Sequence, residues 1–262
     1  MPEQVVKKSK DYTIDALTKG LVVLQTFTEQ EPVQRLTDIS ARTGILMPTV
    51  YRIAMTFVAE GFLEKLADGR YRPTAKVLTL GFAALQDLDV VEAATPILKT
   101  LSDISGETVN LGVLSEDRVL YLLRFKTTEL VTANIQVGSR LPAIHSSMGK
   151  VLLAELPLEQ MRMRIAESNF ASPAGPNAKH DLASLENELD DIRRQGFAQQ
   201  DEEVAFGLRS IAVPLYDAHG AVAAANIAVN AMEWSMERLL NEGLPQLQKA
   251  AHSISRMLGA RV

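Results

Sequence analysis

The 262-residue sequence contains no cysteine, one tryptophan and four histidines. Without cysteine there are no disulfides and no thiol chemistry, and four scattered histidines alone do not make a structural zinc site. The chain therefore calls for no metal and no cofactor. No apolar run approaches the ~20 residues that cross a bilayer as a helix. The basic start, Lys7-Lys8-Ser9-Lys10, leads into no apolar core, so residues 1–11 read as a short flexible arm and not as a signal peptide. These absences fit a cytoplasmic protein with no membrane partner. A basic excess is missing as well. The net charge is −5, yet residues 1–90 carry eleven Lys/Arg and eleven Asp/Glu, so the whole deficit lies beyond them. That balance permits nucleic-acid binding without requiring it.

What is present is ample apolar material, 47% of the residues, on a length that suits one large domain or two ordinary ones. The spacing of Ile14, Leu17, Leu21, Leu24 and Phe27 predicts a helix that ends before Glu31-Pro32. A short helix follows over 36–43, with Thr37 as N-cap and Gly44 as stop. A third helix starts at Pro48, carries Val50, Ile53, Ala54, Phe57 and Val58 on one side, and stops at Gly61. Asp68-Gly69 between two short runs predicts a hairpin. Val77, Leu78, Leu80, Gly81, Ala84, Leu85 and Leu88 then mark a helix with no evident partner in the first domain. It reads as a linker that buries its stripe against another subunit. The domains are accordingly 12–74, a linker over 75–89, and 90–262.

Beyond residue 90 a helix leads to strands over 108–114, 119–125 and near 129–136. Helices follow near 147–156, 158–168 and 182–195, then strands over 210–216 and 222–229 and a last helix over 235–258. Hairpins with helices grouped between them predict an α+β domain with an antiparallel sheet.

The 36–61 segment has the helix-turn-helix plan. One face of its second helix packs on the first, and the other, with Thr49, Tyr51, Arg52 and Thr56, is free to enter a major groove. The hairpin carries Arg70 and Arg72 beside Gly69, as a wing on the phosphate backbone would. The partner is then double-stranded DNA. In the second domain, His145-Ser146-Ser147-Met148-Gly149-Lys150 opens an apolar helix whose free N–H groups favour a carboxylate; alternatively Ser146 merely caps it. Gly149-Lys150 is no phosphate loop, because Ile144 stands where the motif needs glycine. His145 lines a pocket or bonds locally. Asp201-Glu202-Glu203 is either an acid–base or metal pair, or an acidic turn with Glu202 or Glu203 paired to Arg209. Asn226 in the apolar run 223–229 needs a buried partner, ligand or backbone. An enzyme domain built on 146–150 and 201–203 is the alternative to a sensor domain.

Taken together, Ala16-Leu17-Thr18-Lys19-Gly20, Leu36-Thr37-Asp38-Ile39, Thr49-Val50-Tyr51-Arg52, Gly138-Ser139-Arg140-Leu141-Pro142, Ser147-Met148-Gly149-Lys150 and Gly207-Leu208-Arg209-Ser210-Ile211-Ala212-Val213-Pro214 resemble the IclR family of bacterial regulators over residues 12–260. The resemblance implies a winged helix-turn-helix, a dimerising linker helix, a GAF-like effector domain, and a homodimer or dimer of dimers that represses or activates transcription and is not an enzyme. It adds Arg42 and Met47 to the DNA-facing set. It implies an effector pocket of Leu130, Ala133, Leu141, Ser147, Met148, Gln200, Ser210, Asn226 and Ala228. The wording is closest to the aromatic-acid branch, which implies a small-molecule effector of the aromatic carboxylate class, with Arg124 pairing its carboxylate. Gln200 and Ala228 replace an acid and a serine, which implies a less acidic pocket. Leu46-Met47-Pro48 replaces a basic residue and a small one before Thr49, which implies one phosphate contact fewer.

Overall fold

The computed structural model of the protein describes residues 12–28, 31–86, 89–125, 135–171 and 175–260. The arm expected over 1–11 and the strand expected near 129–136 up to residue 134 lie outside these residues, as do the side chains of the linker stripe at Ala84, Leu85 and Leu88. Ile135 and Gln136 are described and are not in a strand. The chain divides into two compact units, Met1–Ala84 and Leu85–Val262.

The first unit contains α1 (Asp15–Gln25), α2 (Leu36–Thr43), α3 (Met47–Ala59), the hairpin β1 (Leu63–Lys65) and β2 (Tyr71–Pro73), and all but the last two residues of α4 (Lys76–Gln86). Val23, Leu36, Ile39, Val50, Ala54 and Tyr71 form its core. The helical spacing read from the sequence thus brings one face of each helix inward. Gly44 stops α2 with a left-handed φ of 68°, a conformation costly for any residue with a Cβ. Thr37 is not the N-cap. Helix α2 starts at Leu36 behind Arg35, and the Thr37 hydroxyl turns to the Asp38 carboxylate at 3.2 Å. The hairpin gains a third arm that the sequence did not announce: Gln34 and Tyr71 exchange backbone hydrogen bonds of 3.0 and 2.8 Å. Buried Gln34 also donates through Nε2 to the Thr26 carbonyl at 2.6 Å. The wing is therefore tied to the start of α2.

The second unit is α+β, as expected. Its helices are α5 (Asp89–Ser105), α6 (Ser147–Ala154), α7 (Leu158–Arg164), α8 (Leu182–Gln195), α9 (Met236–Arg238) and α10 (Leu244–Met257), with a π turn at Leu239–Gly243 between the last two. Its sheet runs β5 (Arg140–Pro142), β4 (Arg118–Phe125), β3 (Thr108–Ser115), β8 (Ala221–Asn230), β7 (Leu208–Tyr216), β6 (Ala198–Asp201), with every neighbouring pair antiparallel. Strands β5 and β6 were not predicted. On one sheet face α5 and α10 bury Leu98, Leu101, Ile211, Leu215, Ile227 and Leu247. On the other, α6 and α8 bury Met148, Val151, Leu189, Ala212 and Ala224. The small side chains of β8 on that second face let α6 lie close to the sheet.

Candidate functional site

The outer face of α3 is exposed at Met47, Pro48, Tyr51, Arg52, Met55 and Thr56, and Thr49 is half-buried. Among the described residues Arg52 has no ion pair and its side chain makes no hydrogen bond, so its guanidinium is available to an incoming anion. The other arginines singled out from the sequence are engaged. Arg42 pairs with Glu31 and donates to the Thr26 carbonyl at 3.2 Å. In the wing, Arg70 pairs with Asp68 at 2.7 Å, and Arg72 pairs with Glu64. Both wing pairs are well exposed, and an exposed pair is worth under about 1 kcal/mol, so a phosphate can replace the carboxylate at little cost. The Asp68 carboxyl is held below its usual range by the Arg70 backbone N–H and then by the Arg70 side chain.

The second site lies on the α6 face of the large sheet. Directly opposed residues in an antiparallel sheet share a face. Register therefore lines up Gln200, Ser210, Ala228 and Thr108 in one row, and Ala198, Ala212, Asn226, Asn110 and Arg124 in the next. A bulge sets the end of the second row. Leu111 opposes Leu123 but Gly112 opposes Tyr121, so β4 has one residue extra. Tyr121 and Arg124, three apart, consequently face the same way.

These side chains form a hydrogen-bonded chain across four strands and a helix. Arg124 Nη1 donates to Asn110 Oδ1 at 3.1 Å, and Asn110 Nδ2 donates to Asn226 Oδ1 at 2.7 Å. Asn226 Nδ2 donates to Ser147 Oγ at 3.5 Å, which bonds Ser210 Oγ at 2.7 Å. Arg124, Ser147, Ser210 and Asn226 of the expected pocket are thus brought together, with Gln200, Ala228 and Met148 on the same face and Leu141 packed against that cluster. Leu130 and Ala133 lie outside the described residues.

Arg124 is half-buried, and no carboxylate pairs with it among the described residues; burial pulls its pKa down. Gln200, Thr108 and His145 are buried with polar side-chain atoms that have no hydrogen-bond partner there, both amide atoms in Gln200 and both ring nitrogens in His145. Burial first, and the nearby Lys150 charge second, push His145 down to about 4, so it is neutral at pH 7. Ser146 occupies the N-cap position of α6, but its side chain makes no capping bond; burial pushes the Tyr121 phenol up to about 12 against a smaller opposing effect of Ser146.

The three consecutive acids each have a partner, and the expected pairing with Arg209 is corrected. Asp201 takes Arg209, at 2.5 Å, while the Glu202 carboxylate accepts the Gly207 N–H at 2.8 Å. Glu203 pairs with Lys150 at 2.6 Å, and Lys150 also reaches Glu188 at 2.8 Å. Burial raises the Glu203 carboxyl against the opposing pull of Lys150. Sequence reading missed Lys150, Thr108 and Asn110. Asn110 stands in an apolar run just as Asn226 does, so the same signal was there to find it. Lys150 had no such signal, because its partners lie 38 and 53 residues away.

Comparison with known proteins agrees in both units. The family model described as the IclR helix-turn-helix domain matches residues 16–67, and that of the C-terminal domain of bacterial IclR transcriptional regulators matches residues 82–256. The Pca regulon regulatory protein of Pseudomonas putida is 35% identical across 93% of this chain and 84% of its own length. An IclR-family regulator from Brucella abortus has a solved structure with a TM-score of 0.80 at 27% identity, covering 97% of this chain and 96% of the other. An IclR homologue from Microbacterium hydrocarbonoxydans, solved in complex with 4-hydroxybenzoate, gives a TM-score of 0.77 at 26% identity, covering 93% and 98%.

Proposed function

The chain belongs to the IclR family of bacterial transcriptional regulators, and on that premise we propose that it is a cytoplasmic homodimer, or dimer of dimers, whose operator affinity is set by an aromatic carboxylate held on the α6 face of its C-terminal sheet. The observation that carries this reading is Arg124, a half-buried cation without a carboxylate partner among the described residues, at the end of a hydrogen-bonded row of neutral polar groups. A desolvated guanidinium binds a carboxylate with two parallel charge-assisted bonds. The other polar groups of the rows are neutral, so the rest of the ligand is apolar or hydroxylated, as an aromatic acid is. The complex of the Microbacterium homologue with 4-hydroxybenzoate supports the same class.

Operator reading falls to α3. Arg52 reaches a guanine edge or a phosphate, Thr49 and Met47 meet a phosphate or a thymine methyl, Tyr51 lies alongside, and Arg70 and Arg72 of the wing hold the backbone. Arg42 contributes charge from behind its pairing with Glu31. Dimerisation follows from apolar faces that are unpartnered among the described residues: Ile14 at the start of α1, Leu17 and Leu21 on α1, and Leu78 and Leu80 on α4 are all exposed. Two such units place their recognition helices on half-sites about 34 Å apart. Effector binding shifts operator affinity only through a difference in its affinity for two states of the dimer.

Among the described residues, nothing on this face favours turnover. Ser147 Oγ is bonded to Ser210, His145 bonds neither serine, and all three acids of the 201–203 turn are engaged. Calorimetric titration of the full chain with 4-hydroxybenzoate, with product analysis of the same mixture, tests the reading. Saturable binding without conversion is expected. Absence of heat with every aromatic acid tried, or turnover of any of them, overturns it.

A further inference from the structure

The buried lysine of α6 and the acidic turn after β6 are used neither by DNA reading nor by the carboxylate subsite. We propose that the Lys150–Glu203 ion pair is a positioning device that sets the gap between two polar walls of the effector site, Ser147 and Met148 on α6 and Gln200 on β6, and so selects effectors by length. The inference rests on the reading of this face as the effector site and adds what holds that site to size.

Lys150 lies three residues after Ser147 on one helix, and Glu203 three residues after Gln200 on the other wall. Their contact at 2.6 Å therefore ties the walls together one step behind the ligand-facing side chains. Lys150 is fully buried, and Glu203 nearly so. Burying an ion pair is a poor route to stability, because well-packed apolar residues in its place do as well or better, whereas its bond lengths hold a separation tightly. Both ends of the link are pinned. At Gly149, beside Lys150, an added Cβ would overlap the Ala143 backbone. At Gly175 it would overlap the Glu202 carbonyl, and the Gly175 N–H donates to the Glu203 carbonyl at 2.8 Å.

The turn between Gln200 and Glu203 carries backbone strain. Glu202 adopts a left-handed φ of 55°, held by its N–H donating to the Leu208 carbonyl and its carboxylate accepting the Gly207 N–H, both at 2.8 Å. A non-glycine residue stays in that region only where its surroundings over-determine it, and such residues cluster at functional sites. Here the turn sends Glu203 back toward α6. Gln200, three residues before Glu203, is buried with its amide oxygen and nitrogen both unpartnered among the described residues. It offers free hydrogen-bonding atoms on the wall whose distance the ion pair fixes.

The test uses the full-length double variant K150M/E203Q, which removes both charges together so that neither is left buried alone; Glu188 keeps Lys179 at 3.3 Å. Titrations with 4-hydroxybenzoate and the longer 6-hydroxy-2-naphthoate give two affinities for each protein. The expected result is about a tenfold loss for the benzoate and no loss for the naphthoate, a change in their ratio that lowered stability alone would not produce. An unchanged ratio overturns the proposal. If the wild type binds neither acid, the effector reading has failed by itself, and amide hydrogen exchange still decides the link. Exchange should rise together over 147–151 and 198–203 in the double variant. A rise in one segment only, or in neither, shows that the pair does not join the walls.

Discussion

The two units deploy polar side chains in opposite ways. In the first, Arg52, Arg70 and Arg72 stand at the surface on a small apolar core, and the ligand they suit is a long polyanion that comes to them. In the second, Asn110, Asn226, Ser147 and Gln200 are buried on the α6 face of the sheet with Arg124 half-buried at the end of their row, and the ligand proposed for them is small. The difference is one of solvent. A surface arginine loses little when its partner is exchanged, so the operator contacts proposed for these three would each be weak and would act together. A partly desolvated arginine has fewer alternatives, so the small carboxylate proposed for it would be bound by a few stronger contacts.

That contrast can be broken by separating the two affinities. The largest effect is expected from Arg124→Met, which should weaken aromatic-acid binding by about 3 kcal/mol while operator affinity without effector stays at the wild-type value. Calorimetry and a gel shift on one preparation decide it, and equal losses in both would erase the distinction. Next come two glycines. Gly149→Ala forces a methyl into the Ala143 backbone and should cost about 3 kcal/mol, seen as a lowered melting transition. Gly44→Ala, at a left-handed position with open space around it, should cost about 1 kcal/mol. If the two cost the same, the tight packing of α6 against the 143 backbone is not what constrains that helix.

Arg52→Ala should weaken operator binding by about 1–2 kcal/mol, flatten the salt dependence by roughly one phosphate contact if it sits on the backbone, or relax one base position if it reads a base, and leave effector binding untouched. The smallest effect concerns pH. His145 titrates near 4 when folded against 6.5 ordinarily, so between these values the unfolded chain binds more protons. Stability should therefore fall as pH drops through that window, and His145→Gln should remove part of the fall. A variant with the wild-type pH profile would show that His145 is not a neutral buried group.

Much of this contrast was legible beforehand, for a physical reason. The helix-turn-helix is made of local signals: a 3.6-residue apolar period, Gly44 after α2, Pro48 opening α3, Asp68-Gly69 in the wing. The DNA face proposed for it is what remains when the core stripe is subtracted. The buried site is made of register, which no local pattern reports. Arg124 shares a face with Tyr121 because of a bulge, and Gln200 sits in a strand, β6, whose sequence Ala198-Gln199-Gln200-Asp201 looks like loop. What could be read there, Asn226 in an apolar run and Ser147 at a helix start, came from polarity out of place. The pairing of Glu203 depended on a lysine 53 residues away, and proximity in sequence pointed wrongly to Arg209.

The most direct measurement is an anisotropy titration of the chain's own promoter DNA at fixed salt, with and without saturating 4-hydroxybenzoate, for the wild type and Arg124→Met. The wild-type operator affinity should shift by about 5–150-fold in one direction, and the variant's, at the same acid concentration, should not move. An identical shift in both proteins, or none in the wild type at an acid concentration that saturates its site, would contradict an account in which a carboxylate on Arg124 governs the grip on DNA.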